Sequence, residues 1–203
     1  MNSIKVAGNS VTPSKLVCIG RNYVDHIHEL GNEIPDDMVV FIKPNSAISQ
    51  ELNSYHQEPL HFEGELCFVY QAGKFSAVGF GLDLTKRGLQ SKLKAKGLPW
   101  ERAKAFTGSA VFSDFVAIDS IDASLSLELI IDGQVAQTGG VERMIYKPDE
   151  ILTELQTFID LEDGDVVMTG TPKGVGVIKT GSTFAAKVVR NNVALLTHNW
   201  QAS

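Results

Sequence analysis

The segment Leu60-His61-Phe62-Glu63-Gly64-Glu65-Leu66 holds two carboxylates two residues apart. An extended chain sends successive side chains to opposite faces, so His61, Glu63 and Glu65 are expected on one face and Phe62, Gly64 and Leu66 on the other. Like charges at that spacing repel, and a cation placed between them makes the arrangement favourable. Carboxylate oxygens are hard ligands that suit Mg²⁺ or Mn²⁺ better than Zn²⁺. Asp83 follows the apolar run Ala77-Val78-Gly79-Phe80-Gly81-Leu82 and precedes a helix start. It can serve as a third ligand or as the cap of that helix. Three oxygen ligands would leave open positions on an octahedral ion for water and substrate. The same alternation also describes a half-exposed strand with a solvated polar face, and spacing alone leaves both readings open.

The elements that must position these acids are mostly strands. Short β-rich runs cover Leu16–Ile19, Val39–Ile42, Leu66–Tyr70, Leu125–Ile131, Val166–Met168, Thr183–Val189 and Val193–Thr197. Turn signals such as Asp132-Gly133, Asp163-Gly164 and Asn191-Asn192 bound several of them. Three helices are expected. Tyr23–Leu30 is short, and Thr85–Lys96 opens on a capping-type Thr85 and stops at Gly97 and Pro99. Pro148–Ile159 begins with an early proline and spaces Ile151, Leu152, Leu155 and Phe158 as one helical face. The strands are too irregularly spaced for a βαβ repeat, so the expected class is α+β, a mixed and mostly antiparallel β fold with a few short helices. At 203 residues, one domain over 1–203 is expected.

Composition narrows the partners. A formal charge of −6 gives no general attraction to phosphate backbones or anionic lipid, which argues against nucleic acid and membrane partners. No apolar run approaches the ~20 residues that span a bilayer, and the N-terminus has no signal-peptide core, so a cytoplasmic protein is expected. Cys18 and Cys67 lie within the apolar segments LVCIG and ELCFVY and read as small buried hydrophobes.

The set GRNYVDHIHELG, FIKP, HFEGEL, GLDLTKRGLQ, GLPWERAKAF and GDVVMTGTPKGVG, in that order, resembles the fumarylacetoacetate hydrolase family. The likeness runs from Leu16 to about Val189 and is nearest the short acylpyruvate hydrolase and oxaloacetate decarboxylase type. It implies a β-roll or sandwich fold, a homodimer, and Mg²⁺ or Mn²⁺ held by Glu63, Glu65 and Asp83. It implies further that His26 and Glu29 form a water-activating dyad in a lid. At i, i+3 they share a helical face, and without the resemblance a surface ion pair would be the simpler account. Lys104 matches a lysine near the substrate's carboxylate and enolate oxygen. Arg21, Lys43, Arg87, Gln90 and Thr171 match positions that bind substrate. TGTPKGVG matches a substrate loop and lacks the Gly-Lys-Ser/Thr ending of a nucleotide-binding loop.

Two blocks depart from the family pattern. After Phe106, Thr107-Gly108-Ser109 replaces the usual acid, which would remove an orienting partner of Lys104, and VERMIY follows its block only loosely. The resemblance implies hydrolytic carbon–carbon cleavage of acylpyruvate-type 2,4-dioxo acids, with Glu29 activating water and Lys104 and the metal stabilising a pyruvate enolate. The same enolate chemistry would serve an oxaloacetate decarboxylase, or an isomerase of an unsaturated 2-oxo acid of the 2-hydroxyhepta-2,4-diene-1,7-dioate type. A non-catalytic, metal-dependent 2-oxo acid binder is a further alternative.

Overall fold

The computed structural model describes residues 1–31 and 33–203. The chain begins with β1 (Ile4–Val6), β2 (Asn9–Val11), β3 (Lys15–Gly20), α1 (Val24–Glu29), β4 (Val39–Pro44) and β5 (Ile48–Ser49). Then come β6 (His61–Phe62), β7 (Gly64–Gln71), β8 (Lys74–Asp83), α2 (Arg87–Ala95), α3 (Glu101–Lys104), β9 (Ala110–Phe112) and β10 (Val116–Ala117). The last part holds β11 (Ser126–Ile131), β12 (Gln134–Gly140), α4 (Pro148–Leu155), β13 (Val166–Met168), β14 (Gly176–Val177), β15 (Thr183–Arg190) and β16 (Val193–Gln201).

The larger sheet runs in the order β4-β3-β13-β7-β8-β9-β5, with β10 also paired to β8, and the second runs β12-β11-β15-β16. Among the described residues, the β13–β3 and β5–β9 pairs of these sheets are parallel and the other pairs antiparallel. The fold is the expected mostly β class with few short helices. Leu66, Phe68, Phe80 and Leu82 point from one face of the larger sheet into the main core, where Leu127, Leu129, Phe184, Val188 and Trp200 of the second sheet meet them. Each such fully buried side chain contributes about 1.5–3 kcal/mol. The opposite face holds a smaller cluster that includes Leu16, Cys18, Cys67, Ala77 and Met168. Both cysteines are free and buried, as small hydrophobes would be.

One irregularity in this sheet decides where the acids meet. From the hairpin turn outward, β7 and β8 pair Gln71 with Lys74 and Tyr70 with Phe75, then the register shifts between Val69 and Tyr70. Beyond this bulge Glu65 lies opposite Gly81 and Gly64 opposite Leu82. A one-residue shift moves a whole set of side chains to the other face. The shifted register brings Asp83 opposite Glu63, and Asp83 N–H donates to the Glu63 carbonyl at 2.9 Å.

Several expectations need correction. The strand is interrupted at Glu63, between β6 and β7, so strict alternation does not run through the glutamates, and His61 is not among the residues lining the cleft. The second helix begins at Arg87, and Thr85 is not its cap. Glu58, from a distant loop, accepts the Gly88 and Leu89 N–H groups at 2.9 and 3.3 Å and caps that helix instead. Phe158 lies beyond α4 and is 59% exposed, since the helix ends at Leu155 and its buried face stops at Ile151 and Leu155. β12 and α3 carry no periodicity strong enough to announce them.

Candidate active site

At the end of the larger sheet the ligand atoms offered by Glu63, Glu65 and Asp83 lie within 4.8 Å of one another, and all three residues are buried. Gly64, between the two glutamates, has to be small. A Cβ there would stand 2.8 Å from Phe80 Cζ and 2.9 Å from Gln137 Oε1. The Gly64 N–H donates to that same Gln137 Oε1 at 2.9 Å.

Three cations answer the acids. Lys104 Nζ donates to Glu63 Oε2 at 2.8 Å, Asp83 Oδ2 at 2.6 Å and Thr85 Oγ1 at 2.6 Å, so all its protons are engaged. These partners orient Lys104 without the acid that Thr107 replaces. Arg87 Nη2 pairs with Glu63 Oε1, and Arg87 Nη1 donates to Gln90 Oε1 at 2.8 Å. Lys43 Nζ lies 2.8 Å from Asp83 Oδ1, but its protons point to the Lys104 carbonyl and to Ser109. Asp83 Oδ1 is thereby a buried oxygen without an aligned donor.

The electrostatics follow from burial and neighbours. Burial raises the Glu63 carboxyl, but Lys104, Arg87 and His26 outweigh it and hold that group well below the usual carboxylate range. Burial, Asp83 and Glu63 push Glu65 up, against the Gly170 N–H that donates to its Oε2 at 2.8 Å. For Lys104, burial opposes the charge, and Asp83 with Glu63 overcomes it and raises the ammonium. A set of three convergent carboxylates with one unsatisfied buried oxygen fits a hard divalent cation. The site has the donors such an ion requires.

Above the acids lies a cleft onto which side chains from several strands and helices converge. Of the residues expected to bind or react, Arg21, His26, Glu63, Glu65, Asp83, Arg87, Gln90, Lys104 and Thr171 line it. Lys43 and Glu29 are not among the lining residues. Lys43 is fully buried beside Asp83, so it supports an acid and does not face substrate. Glu29 stands behind His26. Its Oε2 takes the His26 Nδ1 at 3.1 Å and its Oε1 takes the Gly174 N–H at 2.9 Å. Gly174 has φ +100°, and a Cβ there would meet the Ala136 carbonyl oxygen at 2.0 Å.

Residue spacing carried no sign of Gln137. It is buried on β12, and its Nε2 donates to Thr171 Oγ1 and the Pro172 carbonyl, both at 2.8 Å. It thus joins the loop carrying Thr171 to the acidic segment. A polar residue inward on a strand was the available signal, and it needed the strand to be known. Phe41, Lys94 and Trp100 also line the cleft without having been singled out.

The family model for the fumarylacetoacetate (FAA) hydrolase C-terminal domain matches residues 15–197. The chain belongs to the fumarylacetoacetate hydrolase family. Within this family it is 36% identical over 190 residues to the mitochondrial oxaloacetate tautomerase of Homo sapiens, covering 85% of this chain and 86% of the relative. It is equally 36% identical over 191 residues to a mitochondrial oxaloacetate decarboxylase of Dictyostelium discoideum, covering 85% and 88%. Among solved structures it resembles a fumarylpyruvate hydrolase of Pseudomonas aeruginosa in complex with Mn²⁺ and pyruvate. That match has a TM-score of 0.87 and 25% identity over 99% of this chain and 95% of the other. The family's enzymes named here act on 2-oxo acids, and this chain is an enzyme of that broad kind. The names of the relatives favour tautomerase or decarboxylase chemistry over the hydrolysis expected first.

Proposed function

We propose that this enzyme interconverts the keto and enol forms of oxaloacetate at a divalent cation held by Glu63, Glu65 and Asp83, with Mg²⁺ or Mn²⁺ as that cation. The observation that carries this reading is the order of the dyad: His26 faces the cleft, and both oxygens of Glu29 are already engaged behind it. A carboxylate partner fixes the proton on Nδ1 and leaves Nε2 with its lone pair. Such a histidine transfers protons well, whereas the hydrolytic reading needs a glutamate oxygen in the cleft to deprotonate water, and Glu29 does not line it.

In the keto-to-enol direction, Nε2 of His26 takes a proton from the carbon next to the oxo group. The released pair forms the carbon–carbon double bond, and the oxo oxygen ends with the proton returned by His26. When bound, the cation would supply Lewis-acid stabilisation of negative charge on the oxo oxygen. The Lys104 ammonium adds positive charge beside the acids, Arg87 and Gln90 shape the wall, and Thr171 offers its hydroxyl to the substrate carboxylate. Glu29 orients His26 and stabilises its charged form. The homodimer implied by the family resemblance belongs to the same proposal, and light scattering should give twice the mass of one chain.

The test follows enol absorbance of oxaloacetate with Mn²⁺ and with chelator, alongside decarboxylation and acylpyruvate hydrolysis. His26→Asn should lower tautomerisation by about 10²- to 10⁴-fold while oxalate binding persists. Tautomerisation no faster with the metal-loaded protein than with chelator would sink the reading. Efficient acylpyruvate cleavage abolished by Glu29→Gln would restore the hydrolytic one.

A further inference from the structure

Positive charge gathers along one wall of the cleft. Lys104 Nζ lies 5.4 Å from the Phe41 ring, that ring lies 6.0 Å from Trp100, and Lys94 Nζ lies 5.9 Å from the Trp100 ring. Two aromatic rings therefore separate the lysine among the acids from a second lysine farther along. Arg21 lines the same cleft, and among the described residues no carboxylate lies within ion-pair distance of it. Its backbone has φ +57°, a left-handed conformation costly for a residue with a side chain. Strain of this kind persists where the surrounding structure imposes it, often at ligand sites.

Lys94 is half-buried, and burial lowers its ammonium's proton affinity, with Arg21 and Arg87 adding to the effect. Glu63 attracts that ammonium while Arg21, Arg87 and Lys104 repel it, and a further carboxylate between Arg21 and Lys94 would offset the repulsion. Arg21 is also half-buried, so a carboxylate placed there would meet cations with reduced hydration, where a charge-assisted hydrogen bond is strong.

We infer that Arg21 and Lys94 form a carboxylate subsite that holds the second carboxylate of a dicarboxylic 2-oxo acid and selects it over monocarboxylic ones. This rests on the oxaloacetate reading above, in which the acid end of the cleft takes the oxo-acid end of the same molecule. The rings of Phe41 and Trp100 give the intervening carbon an apolar wall.

Calorimetric titration of the Mn²⁺-loaded protein with oxalate, pyruvate and difluoro-oxaloacetate tests the subsite independently of turnover, because the last has no enolisable hydrogen. The double variant Arg21→Gln/Lys94→Gln should bind difluoro-oxaloacetate about 10- to 100-fold more weakly. Oxalate and pyruvate affinities should stay within about 2-fold, and Arg21→Lys should recover part of the loss. For oxaloacetate turnover, the loss should appear chiefly in KM. Unchanged difluoro-oxaloacetate binding, equal weakening of all three ligands, or wild-type protein that holds difluoro-oxaloacetate no tighter than pyruvate would overturn the subsite. Tight, Arg21-dependent binding without any tautomerisation would instead overturn the tautomerase reading and leave the subsite standing.

Discussion

At the scale of single residues, the site is a problem of buried charge. Glu63 and Asp83 are 6% and 1% exposed, and Lys104, at 2%, bonds to both. Removing one partner of a buried pair leaves the other charge uncompensated, at a cost of about 3–5 kcal/mol. Lys104→Met should therefore destabilise the metal-free protein by about that amount in urea unfolding. A divalent cation would replace the missing positive charge, so Mn²⁺ should raise the variant's Tm more than it raises that of the wild type. Equal Mn²⁺ shifts in the two proteins would show that Lys104 and the cation do not act on the same carboxylates. Glu63 and Glu65 were legible as a pair from their spacing. Lys43 was not legible as a support, because a lysine in a strand gives no hint that its ammonium will be fully buried against Asp83.

Among elements, junctions position the chemistry. Asp165, at the start of β13, accepts from the Ser14 and Lys15 backbones and from Ser14 Oγ, and pairs with Lys15 Nζ at 2.6 Å. Its other oxygen takes the Glu162 N–H. Burial works to raise this carboxyl, but the hydrogen bonds from Lys15, Glu162 and Ser14 prevail and lower it. A group depressed in the folded state stabilises the protein above its unfolded value near 3.9, and that contribution disappears as pH falls through the folded value. Asp165→Asn should cost about 2 kcal/mol at neutral pH. The gap to wild type should narrow below about pH 4, as measured by urea unfolding at pH 7 and pH 3. A gap independent of pH would remove the ionised carboxylate from the account. α2 teaches a similar lesson. Its interior was readable from sequence, but Glu58 caps it from across the chain, where no local signal reaches.

For the whole molecule, the two sheets and the acids depend on one shared core. Phe184 of β15 meets Phe62 of β6 edge to face, with ring centroids 5.4 Å apart, and Phe62 directly precedes Glu63. Phe184→Ala should cost about 3–5 kcal/mol. For a protein of this size that lowers Tm by roughly 10 °C, readable by calorimetry. Its effect should extend to cation affinity, because the void opens under the acidic segment. Intact Mn²⁺ affinity together with the full loss of Tm would show that the acids are held by β7 and β8 alone.

The sequence by itself determined the mostly β class, the apolar strands of the larger sheet, the paired glutamates and, through six ordered blocks, the family. These are properties of residue type and short spacing, and alternation or motif order exposes them directly. Spacing alone left Asp83 open between ligand and cap, and the family resemblance grouped it with Glu63 and Glu65. The tertiary structure shows the means, a bulge within the β7–β8 hairpin that sets which face Asp83 occupies. It alone placed His26 in the cleft with Glu29 behind it, buried Lys43 beneath Asp83, and brought Gln137 from β12 to the Thr171 loop. Each of these depends on residues tens of positions apart meeting across strands. Register, burial and charge compensation settle such meetings, and none of the three is a local property of the chain.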